Sequence, residues 1–125
     1  DEQVIVELLK AGAKVNFKSS NGYCALMYAA SLNPNPKIID ILIENGAEVN
    51  QTFTDGRTPL MFAAAMNPNP DVVRRLVRGG ARLDYRDHKG MDIIDFSKKN
   101  YNPDVPGLIE KLVGIICAPI KEWIE

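Results

Sequence analysis

Gly12, Gly46 and Gly80 stand 34 residues apart, and Gly22, Gly56 and Gly90 keep the same spacing. Two registers that agree on one period mark a chain of tandem units, each too small to bury its own apolar face and so obliged to stack on its neighbours. The segments between the glycines follow suit. VIVELLKAGAKVN (4–16), IIDILIENGAEVN (38–50) and VVRRLVRGGARLD (72–84) align without a gap, as do NGYCALMYAASLNPNP (21–36) and DGRTPLMFAAAMNPNP (55–70). In the first set the apolar residues recur in pairs, as at Ile38, Ile39, Leu42 and Ile43, which puts them on one side of a helix. Asn35 and Pro36 precede that helix as N-cap and first-turn proline, and Gly46 follows it where a left-handed residue ends a helix.

Thr58 and Pro59 open a second, shorter helix in the same way, over the run LMFAAAM. Ala63 and Ala64 are small where neighbouring helices must come close. Between helices lie NFKSSNG (16–22), NQTFTDG (50–56) and DYRDHKG (84–90), whose Asn-Gly and Asp-Gly pairs favour positive φ and a tight, hairpin-like turn.

The order of turn, Gly, Thr-Pro-Leu, Ala-Ala, outer helix and Gly-Ala-x-Val-Asn closely resembles the ankyrin repeat, over roughly residues 4 to 113. The resemblance implies an all-α fold: an ankyrin-repeat solenoid of stacked helix-turn-helix units with hairpin-like connecting turns. Residues 1–125 then form a single ankyrin repeat domain, with a partial first repeat at 1–16, repeats at 17–50 and 51–84, and a C-terminal capping repeat with an extra helix at 85–125. Met27 and Met61 stand where the family has the His of its Thr-Pro-Leu-His motif, which bonds the Thr, and Cys24-Ala25 replaces Thr-Pro. The loop NPNP is one residue longer than the common version, which accounts for the 34-residue period and is similar to loops of some bacterial ankyrin repeat proteins.

The ends depart from the middle. DEQVIVELLKAG supplies an outer helix alone, so Val4, Ile5, Leu8 and Leu9 lack the inner helix that a full unit would lay on them, and the start reads as a truncation. In MDIIDFSKKN the polar Ser97 and Lys98 replace the paired alanines, as suits a last repeat with a wet outer face. The closing segment aligns as an outer helix after a two-residue insertion, with Leu108-Ile109 matched to Val72-Val73, and Pro119 is expected to break it before Trp123.

Fifteen Lys and Arg against sixteen Asp and Glu leave a net charge of −1, so no global positive charge draws the chain to nucleic acid or anionic lipid. The longest apolar stretch, Leu112 to Ile120, holds Gly114 and Pro119 and falls far short of the ~20 residues that span a bilayer. Two cysteines, Cys24 and Cys117, are too few for a disulfide framework and are expected to be free thiols, which reads as intracellular and cytoplasmic. No spacing suggests a metal or cofactor. His88, the lone histidine, has no nucleophile at fixed spacing and reads as a solvated turn residue; Cys24 reads as a small structural residue, and Asp92, beside Asp95, as a helix cap. The expectation is that the protein is not an enzyme.

The resemblance implies non-catalytic protein recognition by the concave side, made of turn tips and the exposed side of the inner helices. Carried over by position, the tips are Lys18, Ser20, Asn21 and Tyr23, then Thr52, Thr54, Asp55 and Arg57, then Arg86, His88, Lys89 and Met91. The inner helices add Ser31, Leu32, Ala65, Met66, Lys99 and Asn100. The partner-binding set is Tyr23, Leu32, Thr54, Asp55, Arg57, Met66, His88, Lys89 and Met91, positions that the fold does not need and that carry residue types enriched at interfaces. The partner is another protein, and the chain is a monomer or a weak dimer through its N-terminal face. An alternative of another class rests on Arg74, Arg75 and Arg78, which the helical spacing puts on one solvent side, where they could contact phosphate or nucleic acid. The neighbouring Asp71, Asp84 and Asp87 favour a solvated face instead.

Overall fold

A computed structural model describes residues 2–116. Among them are seven helices and no strands: α1 (Glu2–Lys10), α2 (Ala25–Leu32), α3 (Pro36–Glu44), α4 (Pro59–Met66), α5 (Pro70–Arg78), α6 (Ile93–Ser97) and α7 (Asp104–Ile116). Helices α2, α4 and α6 pack side by side in an inner row, and α1, α3, α5 and α7 form an outer row, with α2 on α3, α4 on α5 and α6 on α7. Cys117, Pro119 and Trp123 lie outside the described residues.

The helix ends expected within the described residues are present. Asn35 and Asn69 accept the N–H groups of Lys37 and Asp71, each at 3.0 Å, ahead of Pro36 and Pro70. Asp92 and Asp95 cap α6 reciprocally, at 3.0 and 3.1 Å. Gly12, Gly46 and Gly80 follow their helices with φ of 97°, 94° and 105°, the left-handed region that a side chain would strain. The core is the predicted one: Ile38, Ile39 and Leu42 are buried on α3, which packs on α2, and Val72, Val73 and Leu76 on α5, which packs on an α4 whose Pro59 to Ala64 are all buried. At Thr58 the loss of the family's His is made good, because the N–H of Thr58 reaches the Met61 sulfur at 3.5 Å while its hydroxyl accepts the Met61 N–H at 3.3 Å. Cys24, at the same place on α2, makes no side-chain cap and is buried and free.

Two expectations at the C-terminal end are overturned. There is no two-residue insertion before the last outer helix. Asn100 donates to the carbonyls of Ala64 and Asn67 at 2.9 and 2.8 Å, just as Asn67 donates to those of Ala30 and Asn33 at 2.9 and 2.8 Å, so NYNP at 100–103 is the counterpart of NPNP at 67–70. The stretch from the cap Asp92 to Asn100 is therefore one residue shorter than that from Thr58 to Asn67, and Val105 and Ile109, wholly buried, take the places of Val72 and Leu76. Ser97 is likewise wholly buried instead of wet, and its hydroxyl is satisfied by the Ile94 carbonyl at 2.7 Å. The exposed polar face begins with Lys98.

Candidate protein-binding surface

Each tip is closed by a pair of backbone bonds. Ser19 N–H donates to Tyr23 O at 2.8 Å and Gly22 N–H to Ser19 O at 2.9 Å; Phe53 with Arg57, and Asp87 with Met91, repeat the pattern. The tips then lock to one another. His88 N–H donates to Asp55 O at 2.8 Å, and Lys18 Nζ to Thr52 O at 3.3 Å. Gly56, at φ +90°, leaves the room that the His88 ring fills, since a Cβ there would come within 2.7 Å of its Cδ2. Thr54 sits over Gly22 in the same fashion.

Tyr23, Arg57 and Met91, which share one register position after the tips, are less free than the carried-over surface implies. Tyr23 is half-buried, stacked on Tyr28 at 4.7 Å between centroids and tilted against Phe53 at 4.8 Å and Phe62 at 5.3 Å. Arg57 lies over the Phe62 ring at 4.5 Å and the Phe53 ring at 5.3 Å, with its Nε bonded to Asp55 Oδ2 at 2.7 Å. Tyr23 thus packs across the boundary between two repeats, while Arg57 packs on the rings of its own repeat, so both side chains take part in the scaffold. Met91 is half-buried against the core. Ser31 and Asn100 are also scaffold: Ser31 is buried with its hydroxyl on Met27 O at 2.9 Å, and Asn100 belongs to the asparagine series above.

Leu32 and Met66 remain the open apolar positions, 65% and 50% exposed at matching ends of α2 and α4. Thr54, His88 and Lys89 are exposed along the tips and Asp55 is partly so. Sequence reasoning missed Tyr28, Phe53 and Phe62. The shared aromatic register of Tyr28 and Phe62 was a readable signal for two of them; Phe53 has no aromatic counterpart one period away.

The arginines of α5 are largely neutralised. Arg74 pairs with Asp71, Arg75 pairs with Asp40 of α3, and the small hollow beside Arg78 also contains the side chains of Asp40 and Glu44. Arg82 is bidentate on Asp84 at 2.9 and 2.7 Å, which raises the guanidinium pKa and lowers that of the carboxyl. Among the described residues no His, Cys, Asp and Glu group of three or more is placed to hold a metal ion, and no helix is long and apolar enough to cross a membrane.

A groove of 600 Å³ opens at the N-terminal end of the stack, lined by Ile5, Leu8 and Leu9 of α1, Tyr28 and Leu32 of α2, and Leu42 of α3 among others. It marks the side of α1 where the half unit lacks an inner helix.

The sequence profile of ankyrin repeats, in three copies, matches residues 1–91. Repeats of this kind are generally protein-interaction modules and typically non-catalytic. No curated protein matches the chain. The profile covers well over half of the 125 residues, and with two rows of stacked helices in one register beneath it, the chain belongs to the ankyrin repeat family.

Proposed function

We propose that this chain is a non-catalytic recognition module that binds another protein through the concave side formed by the turn tips and the open ends of the inner helices. The observation that carries the reading is the pair Leu32 and Met66, large apolar side chains held in solvent one repeat apart at matching ends of α2 and α4. Side chains carried on helices already held in place lose little entropy on binding, and an adaptable thioether suits a buried anchor. Lys18, Arg86 and Lys89 are exposed on the tip edge, which favours acidic side chains at the rim of the partner. The alternative, phosphate or nucleic-acid contact through Arg74, Arg75 and Arg78, is disfavoured by the carboxylates already paired with two of the three.

The test is affinity capture from the source cell followed by purified binding. Leu32→Ser with Met66→Ser is expected to weaken the captured partner, as anchor truncations cost about 2 kcal/mol each. Arg74, Arg75 and Arg78 changed together to Gln are expected to bind as the parent does. The reverse pattern, with a steep salt dependence, makes the charged convex face the binding site.

A further inference from the structure

We infer that the N-terminal groove is the seat of one more turn and short inner helix, joined ahead of α1 and completing its 34-residue repeat unit, the helix lying on α2 and α1 as α2 lies on α4 and α3. The inference does not depend on the concave reading, although Leu32 borders both surfaces, and it rests on two sets of register-matched residues.

The first set is apolar. Val4, Leu8 and Tyr28 are 51%, 56% and 51% exposed, whereas Ile38, Leu42 and Phe62, one period later, are 1%, 4% and 2% exposed. The later three lie on α3 and α4, the two helices that α2 packs against. The groove has the side chains of a repeat interface and an open floor.

The second set is polar and names the occupant. Asn67 and Asn100 each donate their side-chain amide to two carbonyls at the C-terminal end of the preceding inner helix. Asn33 has the same local turn, its Oδ1 accepting the Asn35 N–H at 3.0 Å, but its Nδ2 has no acceptor among the described residues and it lines the groove. Asn69 and Asn102 donate to the prolyl carbonyls of Pro34 and Pro68 at 2.7 Å, while Asn35 instead takes the carboxylate of Glu2 at 2.7 Å. In the outer loops Asn16 bridges Gly46 O and Glu48 N–H, and Asn50 bridges Gly80 O and Arg82 N–H. Gly12 O and Lys14 N–H hold the same positions with no such bridge. A helix ending in two free carbonyls, preceded by a turn carrying an Asn, answers all of these groups at once. A second copy docked by its own groove would present apolar side chains but not that set of donors and acceptors.

Copying residues 50–68 directly ahead of Asp1 supplies such a unit in register. The extended chain is expected to gain helical signal, to melt at least about 5 °C higher, and to protect the Lys14 amide from hydrogen exchange. Asn33→Ala should leave the melting point of the parent nearly unchanged and lower that of the extended chain. Changing the copies of Ala63 and Ala64 to Asp should return the melting point to the parent value. Added residues that stay non-helical, or a higher melting point that Asn33→Ala does not touch, overturn the inference. So does a parent chain that sediments as a dimer and that Leu8→Asp converts to monomer, since a second copy then fills the groove.

Discussion

The side-chain amide of Asn67 donates to the main-chain carbonyl of Asn33 at 2.8 Å, across the boundary between two repeats. The same amide reaches Ala30 O at 2.9 Å, and Asn67 Oδ1 accepts the Asn69 N–H at 3.0 Å, so one wholly buried side chain closes its own loop and ties two inner helices. Asn67→Ala removes all of these bonds and leaves the buried Ala30 carbonyl and the partly buried Asn33 carbonyl without this donor. A loss of about 2–3 kcal/mol is expected, read from the midpoint of urea unfolding. Asn33→Ala is expected to cost much less in the same assay.

Capping makes a second contrast. Thr58 closes α4 through its hydroxyl, while Cys24 at the equivalent place on α2 offers no such bond. Thr58→Val, which keeps the volume, should cost about 1 kcal/mol. Cys24→Thr should gain up to about 1 kcal/mol, and a loss of stability there would mean that the buried sulfur packs better than a hydroxyl can cap.

Gly46 and Gly56 share a left-handed φ, +94° and +90°, but not their surroundings. A Cβ on Gly46 meets nothing within 4 Å, whereas one on Gly56 runs into the His88 ring and its backbone nitrogen. Gly46→Ala should therefore cost only the conformational penalty, about 1–2 kcal/mol. Gly56→Ala should cost more, and adding His88→Ala should recover part of the excess. Equal losses at the two glycines would show that the His88 ring moves aside freely.

Most of the scaffold was legible because its determinants are local or periodic. Asn35-Pro36 and Thr58-Pro59 announce helix starts by short-range chemistry, and Ile38, Ile39 and Leu42 announce a buried face by spacing. The reading slipped where one position changed both identity and spacing. NYNP escapes a match to NPNP because Tyr101 replaces a proline and the stretch from helix cap to asparagine before it is a residue shorter, so hydrophobic pairs alone favour the wrong alignment. Ser97 looked wet because hydropathy does not reveal that a serine can satisfy its hydroxyl on its own helix. The candidate surface was legible only in outline. Tyr23 and Arg57 were placed at the tips correctly, but their packing on Phe53 and Phe62 joins side chains of different loops and helices, which no period encodes.

The Arg82–Asp84 pair carries a pH signature of its own. The guanidinium hydrogen bond stabilises the Asp84 carboxylate and holds its pKa below the ordinary aspartate value in the folded chain. A carboxyl depressed on folding contributes its stabilisation fully above the unfolded-state pKa and loses it as pH falls through the folded value, so the effect belongs to the acid limb and vanishes in strong acid. Both side chains are exposed, and screening by water and salt keeps the contribution to stability small. The titration is the sharper observable. Followed by the side-chain carbon chemical shift, Asp84 should titrate below the ordinary aspartate value in the parent and move up toward it in Arg82→Gln, and also in the parent as salt is raised. An Asp84 midpoint that Arg82→Gln leaves in place would mean that the bidentate geometry does not persist in solution.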